Sequence, residues 1–281
     1  PADTPEAAAL SSVSALRTTA EAAGARPVVP QALTTALGLA LTWPRHVLLV
    51  DGDREPAQSI QAGYLRGMDH GGRGMMRLAQ LHREGTLLAP ELWRQTLPLV
   101  EGGDVQRRFL PGFTTPGAAR LFEHVWPAFG EAVRALDGQG ADVLVDIGRI
   151  GNSGLPLGLL ASADAVLVGV RSSLRSLAAA HIHLPTLEDQ LRTLNAVVPA
   201  ALAVVGPDRP YSTAEIAAQF GLPAWVEAPW DPKAAAVLSD GEPEPRRFAA
   251  SSYMGRFRSQ ASMLQDRLIR ARDVVAAGVD R

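Results

Sequence analysis

Short apolar runs alternate with longer helical stretches along most of this 281-residue chain, and this alternation restricts the fold more than any other feature. Five runs are bounded by turn-forming residues and have the length of buried strands: His46–Val50, Asp142–Asp146, Ala165–Val170, Ala200–Val205 and Ala224–Glu227. The stretches between them favour helix, near residues 116–137, 155–162, 173–195, 212–220 and 232–238. This alternation predicts βαβ units, and therefore an α/β fold with a doubly wound, mostly parallel sheet flanked by helices.

Both ends of the chain favour additional helix. Residues 5–23 are rich in alanine and are followed by Gly24, a combination typical of a helix and its end. A stub of strand is predicted at Arg26–Val29, just before a proline. The last helix is predicted at Tyr253–Ala277, after a turn region rich in proline and glutamate.

We therefore divide the chain into three parts. The central α/β domain carries most of the predicted strands, and its glycine-rich segment is interpreted as a helical insertion at one edge. The parts are an N-terminal helical extension at 1–27, the domain at 28–250 with the insertion at 64–113, and a C-terminal helix at 251–281.

Composition excludes several classes of protein. A net charge of −2 and a pI near 6.4 argue against a protein that coats nucleic acid. The chain has no cysteine, which excludes disulfides and thiolate metal sites, and its six histidines show no metal-ligand spacing. No apolar stretch has the length of a membrane span, so we expect a cytoplasmic protein without a bound metal. Peripheral membrane contact through the C-terminal helix is not favoured, because Asp266 and Asp273 dilute its positive face.

Four sequence segments fall in an order that is found in one known family. A helical stretch leads into a strand that ends in Asp-Gly-Asp, and a later strand reads Ala-Asp-Val-Leu-Val-Asp before Ile-Gly. A third segment begins Ala-Asp-Ala-Val-Leu-Val, and the last ends in Ala-Pro-Trp-Asp. The segments are Thr34–Asp53, Ala141–Gly148, Ala163–Leu174 and Gly221–Asp231.

Over about residues 28–250 the chain resembles the ParA/MinD family of deviant Walker ATPases, in particular its divergent Tad-secretion and pilus-localisation branch. The resemblance implies a P-loop NTPase-like fold and a homodimer formed face to face across ATP. It implies that Asp51 or Asp53 orients the attacking water and that Asp146 holds Mg²⁺ through water. It also places Asp208, Arg209 and Asp231 near the base. A carboxylate at the end of a parallel strand can instead cap the next helix or turn, so this second reading stays open.

The chain departs from the family at the phosphate-binding loop. A P-loop needs glycines that bring backbone amides to the phosphates, together with a lysine that neutralises them. Residues 28–33 contain neither, and alignment on Thr34 and Thr35 puts Ala32 or Leu33 where the lysine belongs. Of the 27 basic residues only Lys233 is a lysine, and it lies far along the chain. We therefore expect no cofactor, although weak binding of Mg-ATP remains open.

Three functional hypotheses follow. The first is a positioning or scaffold protein, a pseudo-ATPase that serves protein partners such as a secretion or pilus machine, as a homodimer and without direct nucleic acid contact. The second is a slow ATPase that uses the start of the helix at Thr34 and Thr35 and arginines in place of lysine; the candidates are Arg54, Arg149 and Arg171. The third is a self-assembling or partner-binding module that uses the helices at 5–23 and 253–277.

Other nucleotide and phosphate sites are less consistent with the sequence. Gly148–Gly154 follows a strand, but its glycines are spaced GxxGxxG rather than GxGxxG. No acidic residue ends a strand about 20 residues later, as a dinucleotide site requires. A Rossmann oxidoreductase is therefore not favoured. A response-regulator receiver is not favoured either, because no lysine occupies the place that such a site requires and Asp146 follows Asp51 by 95 residues, about twice what two βα units need.

Overall fold

The sheet is built from strands that lie far apart in the sequence. The computed structural model describes residues 13–19, 31–56, 58–115, 117–150, 155–194 and 197–279. Within these ranges the strands are β1 Val13–Thr19, β2 His46–Asp51, β3 Leu97–Pro98, β4 Arg107–Leu110, β5 Ala141–Ile150, β6 Ala165–Arg171, β7 Ala200–Val205 and β8 Ala224–Ala228. They form one sheet in the order β3-β4-β2-β5-β1-β6-β7-β8. All neighbours are parallel except β3 and β4.

Helices cover both faces of this sheet. They are α1 Gln31–Thr42, α2 Met75–Arg83, α3 Trp126–Arg134, α4 Leu157–Leu160, α5 Leu174–Arg192, α6 Thr213–Phe220, α7 Pro232–Ser239 and α8 Ser252–Val279. One apolar core lies between the sheet and α1, α7 and α8, and a second lies between the sheet and α2 to α6. Side chains of β5 alternate between these cores, with Leu144 in the first and Val143 and Val145 in the second. The predicted fold class, a doubly wound parallel sheet flanked by helices, is confirmed.

The central strand of the sheet comes from the N-terminal region, which the sequence predicted to be helical. Residues 13–19, predicted as part of an alanine-rich helix, form β1 and pair in parallel with β5 on one side and β6 on the other. Hydrogen bonding to two strands outweighs the modest helix propensity of the local sequence. The rest of the predicted helix at 5–23, and the strand predicted at 26–29, lie outside the described residues.

The segment 64–113 is not a purely helical insertion. It contains α2 and a 3-10 turn at Leu92–Gln95, but it also supplies β3 and β4. β4 pairs with β2 from Val47 opposite Arg107 to Val50 opposite Leu110, so the segment extends the sheet by two strands. β4 was not predicted because it begins with two polar residues and has no strand pattern of its own. Pairing with β2 makes this segment a strand.

The outer edge of β8 is covered by side chains of α8. Gln260 Oε1 accepts the backbone N–H of Glu227 at 2.9 Å. Arg267 donates to the carbonyl of Ala224 at 3.2 Å and to that of Trp225. An edge strand with unpaired backbone groups is a template for pairing with another chain. These two side chains therefore satisfy groups that a further strand would otherwise use.

Removing both side chains is expected to make the protein self-associate. In a Gln260→Ala, Arg267→Ala variant, the outward N–H and C=O groups of β8 lose their partners and become available to a second copy. We expect a concentration-dependent rise in sedimentation coefficient, together with a loss of about 2 kcal/mol of stability from the missing hydrogen bonds.

The matched control changes two exposed residues elsewhere on α8, Arg256→Ala with Ser262→Ala. It should sediment like the unchanged protein at every concentration. Equal sedimentation of the two double variants would contradict the proposed protection of the edge.

Candidate functional site at the carboxyl edge of the sheet

Two of the predicted aspartates lie side by side where β2 and β5 approach the carboxyl edge of the sheet. Asp51 ends β2 and is the register partner of Asp146 on β5. The N–H of Gly52 donates to the carbonyl of Asp146 at 2.7 Å. β5 continues four residues beyond its predicted end, from Asp146 to Ile150, so Asp146 lies within the strand rather than at its end.

Burial and a neighbouring carboxylate perturb the carboxyl group of Asp51. Its side chain is buried, with 5% of its surface exposed, and Gly112 packs so closely that a Cβ there would lie 2.7 Å from Asp51 Cγ. Burial, and secondarily the carboxylate of Asp53, raise the pKa of Asp51 from 3.8 to about 7, against a smaller lowering by the N–H of Asp53. Asp51 therefore changes its charge near neutral pH.

Asp53 is held against the backbone of Gly148. Its Oδ1 accepts the N–H of Glu55 at 2.9 Å. A Cβ on Gly148 would overlap the Asp53 carboxylate, and the φ of Gly148 is +74°, a conformation that favours glycine. The absence of a side chain at position 148 therefore leaves the space that this carboxylate occupies.

All three aspartates share one local pattern. Each carboxylate accepts the N–H of the residue two positions on: Asp51 from Asp53 at 3.4 Å, Asp53 from Glu55 at 2.9 Å and Asp146 from Gly148 at 2.9 Å. For Asp51 and Asp53, at the end of β2 and just after it, such bonds stabilise a turn, as the alternative interpretation of these residues predicts. The corresponding bond of Asp146 lies within β5. Among the described residues, no group of three or more histidines or carboxylates is arranged to hold a metal ion.

A methyl group on Gly148 is expected to displace Asp53. Gly148→Ala combines the strain of a positive φ with overlap on the carboxylate, so we expect a loss of about 1–3 kcal/mol in the free energy of unfolding. Urea unfolding measures the loss. The change Asp53→Ala in the same background should return part of it, because the overlapping group is gone.

Gly140→Ala is the control that separates strain from overlap. Gly140 also has a positive φ, +69°, but the nearest atom to its Cβ would be Arg45 Nη2 at 3.8 Å. If Gly140→Ala and Gly148→Ala cost the same, contact with Asp53 plays no part.

The first turn of α1 presents apolar side chains where the resemblance calls for a lysine. Ala32 and Leu33 are buried, 4% and 3% exposed, and Leu33 belongs to the core against α8. Thr34 and Thr35 are buried in the same helix. The sequence between β1 and α1, residues 20–30, has one glycine and no lysine. These residues do not fit a triphosphate held by a lysine and a glycine-rich loop.

The candidate arginines lie at the same edge but have different surroundings. Arg54 forms an ion pair with Glu123, with an Nη2–Oε2 distance of 2.8 Å. Arg149 is exposed on β5, in register with Thr18 of β1. Arg171 ends β6, and its guanidinium lies 4.2 Å from the ring centroid of Trp230.

The residues expected near a base lie at the ends of β7 and β8. Asp208 and Arg209 are exposed in the loop after β7, where the Asp208 N–H donates to the carbonyl of Tyr211 at 2.8 Å. Asp231 caps α7, because its Oδ1 accepts the N–H of Lys233 at 3.0 Å. Its carboxylate is therefore engaged in a structural bond.

The predicted residues form two groups on either side of β1. One group lies on the β2–β5 side: Asp51, Asp53, Arg54, Asp146 and Arg149. The other lies at the ends of β6, β7 and β8 or just after them: Arg171, Asp208, Arg209 and Asp231. Ligands of doubly wound folds bind at such carboxyl edges, where the strand order changes direction.

Sequence reasoning missed residues that shape this edge through contacts distant in the sequence. Gly112 packs on Asp51, Glu123 pairs with Arg54, and the Ser172 hydroxyl donates to the Tyr211 carbonyl at 2.6 Å. None of these pairs has a local sequence signal. β1 has one, because Val13, Thr18 and Thr19 are β-branched residues that favour strand.

Comparison with solved structures identifies a shared fold. A ParA family ATPase from Chlorobium tepidum TLS has a TM-score of 0.67 at 14% identity, over 90% of this chain and 99% of that chain. The cell division ATPase MinD of Pyrococcus furiosus has a TM-score of 0.61 at 16% identity, over 92% and 99%. A MinC:MinD cell division complex from Aquifex aeolicus has a TM-score of 0.60 at 16% identity, over 90% and 95%.

The chain therefore has the fold of the ParA/MinD P-loop NTPases. No protein-family model and no curated protein sequence matches it. In the described part of the chain, no helix combines the length and the hydropathy needed to cross a bilayer.

Proposed function

We propose that this chain is a ParA/MinD-like positioning or scaffold protein in which the nucleotide site is degenerate and ATP hydrolysis is lost. The single observation that carries the proposal is the first turn of α1, where buried Ala32 and Leu33 occupy the positions that the resemblance assigns to a phosphate-binding lysine. Desolvating a triphosphate without compensating charge costs several kcal/mol. The fold is then retained as a platform for protein partners.

The surroundings of the three aspartates agree with this proposal. Asp51, Asp53 and Asp146 each use a carboxylate oxygen to accept the backbone N–H two residues further along their own chain. Local backbone bonds of this kind require no nucleotide. A solved relative in fold is the MinD of a MinC:MinD complex, and by analogy we expect a protein partner here, such as a component of a secretion or pilus machine, bound by a homodimer.

Calorimetric titration of the purified protein with Mg-ATP and Mg-ADP tests the proposal. We expect no binding heat up to millimolar nucleotide, and the molar mass from light scattering should be unchanged by Mg-ATP. Micromolar binding, or dimerisation triggered by Mg-ATP, would falsify the proposal of a degenerate site.

A slow ATPase is the second candidate, and the observation in its favour is the position of Arg149. This exposed arginine lies three residues after Asp146, on the strand next to β1. Turnover that falls in Asp53→Ala and Asp146→Ala variants, and nucleotide affinity that falls in Arg149→Ala, would support it. A rate unchanged by both aspartate variants would reject it.

A further inference from the structure

A groove with three glutamates lies away from the carboxyl edge of the sheet. Its cavity has a volume of about 440 Å³ and lies between the turn after Tyr64, the end of β3 and the end of α7. Glu101 enters it from the β3–β4 loop, and Glu242 and Glu244 enter it from the α7–α8 connection. These three residues and the apolar surface between them are called the glutamate groove below.

The negative charge of the three glutamates is not balanced by the other residues that line the glutamate groove. All three glutamates are exposed, and none of them has an ion-pair partner among the described residues. Among the described residues, Arg66 is the one basic residue of the lining, so three carboxylates are matched by one guanidinium. The groove therefore carries a net negative charge.

The floor of the groove is apolar and includes an aromatic ring. Leu99 and Val237 are buried, 5% and 6% exposed, and Met68 is 42% exposed. The half-buried Tyr64 donates its hydroxyl to the carbonyl of Leu99 at 3.3 Å. Burial and the Glu244 carboxylate raise the pKa of Tyr64, as expected for a ring between an apolar floor and an acidic rim.

The walls of the groove are held by close backbone packing. Ser59–Tyr64 forms one π-helical turn, and a Cβ on Gly63 would overlap the carbonyl of Ser239 at the end of α7. Gly241 in turn packs on Gly63, with its Cβ position 3.2 Å from the Gly63 carbonyl oxygen. The connection that carries Glu242 and Glu244 is therefore anchored next to the turn that carries Tyr64.

We propose that the glutamate groove binds arginine side chains of a partner polypeptide. An arginine has an apolar stem that matches the floor and a planar guanidinium that pairs with carboxylates and stacks on an aromatic ring. Tyr64 supplies the ring, and the three glutamates supply the carboxylates. This site goes beyond the proposed function and does not depend on nucleotide or on dimerisation.

The test is a fluorescence-anisotropy titration of the whole chain with fluorescein-labelled hexa-arginine, and with hexalysine as comparator. The groove variant is Glu101→Gln, Glu242→Gln and Glu244→Gln. The matched control is Glu84→Gln, Glu131→Gln and Glu188→Gln, which changes the net charge by the same amount at sites outside the groove. Both triple variants are checked for an unchanged unfolding midpoint.

We expect hexa-arginine to bind the unchanged protein more tightly than hexalysine does. The groove variant should lose at least about tenfold in affinity, because charge-assisted bonds to the guanidinium are gone, whereas the control should change by less than about twofold. Three results would overturn the proposal: no binding of hexa-arginine, equal binding of hexalysine, or equal losses in the two triple variants. None of these depends on the outcome of the nucleotide titration.

Discussion

Replacing Asp51 with asparagine is expected to stabilise the protein increasingly as the pH rises. The pKa of Asp51 is about 7 in the folded protein and 3.8 as the reference for the unfolded chain. Below pH 3.8 the group is protonated in both states, so its full contribution to stability is present. Between these two pKa values only the unfolded chain ionises, so the contribution to stability falls progressively as the pH rises. Above the folded pKa both states are ionised and no further stability is lost.

The size of the effect follows from the difference between the two pKa values. One pKa unit corresponds to about 1.4 kcal/mol, so the loss reaches about 4 kcal/mol above pH 7. Asparagine resembles the neutral acid and does not titrate. The advantage of Asp51→Asn over the unchanged protein should therefore grow by about 3 kcal/mol between pH 5 and pH 8.

Urea unfolding at the two pH values, without divalent cations, measures this growth. Asp266→Asn, on the exposed side of α8, is the control and should show no such increase. A constant difference between Asp51→Asn and the unchanged protein would show that the carboxyl group does not titrate in this window.

Truncation of Asp142 is expected to cause the largest loss of stability. Its side chain is fully buried at the start of β5, and Oδ2 accepts the indole N–H of Trp43 at 2.7 Å and the amide of Gln265 at 3.3 Å. Arg45 Nη1 lies 3.4 Å from Oδ1. One carboxylate thus connects β5 to the residues after α1 and to the middle of α8.

Asp142→Ala should lower the free energy of unfolding by about 3–5 kcal/mol, because it leaves the buried indole N–H of Trp43 without its acceptor and removes one carboxylate contact of Arg45. Asp142→Asn keeps one oxygen acceptor and should cost less than half as much. Asp266→Ala removes an exposed carboxylate of α8 and should stay within about 0.5 kcal/mol of the unchanged protein. A cost for Asp142→Ala no larger than that of Asp266→Ala would contradict this role.

Elements with a strong local pattern were predictable from the sequence. β6 and β7 are continuous apolar runs with turn residues on both sides, and the structure places them at Ala165–Arg171 and Ala200–Val205, within one residue of the prediction. α6 follows a serine with a glutamate three residues on, and these residues form a capping box. The parallel sheet followed from the alternation of such elements.

Elements with a weak or mixed local pattern were not predicted. β1 contains three β-branched residues but has an alanine-rich neighbourhood that favours helix, and β4 begins with two arginines, so local propensity did not identify either strand. Each becomes a strand because a partner strand hydrogen-bonds to it, and that partner is distant in the sequence. Pairing of this kind is not encoded in a local window.

The sequence supplied the residues of the candidate site but not their chemistry. The resemblance assigned roles to Asp51, Asp53 and Asp146, and Asp51 and Asp146 are register partners on neighbouring strands. The raised pKa of Asp51 depends on burial, on the nearby Asp53 and on close packing by Gly112. These are properties of three-dimensional packing.

The sequence alone determined the α/β class, the set of acidic strand ends and the absence of a lysine near the first helix, because residue identity and short-range periodicity suffice for each. Tertiary structure alone decided that β1 lies at the centre of the sheet, that Leu33 is buried against α8 and that three glutamates converge on one groove. Each of these brings together residues separated by many positions, and their burial and mutual electrostatics exist only once the chain is folded.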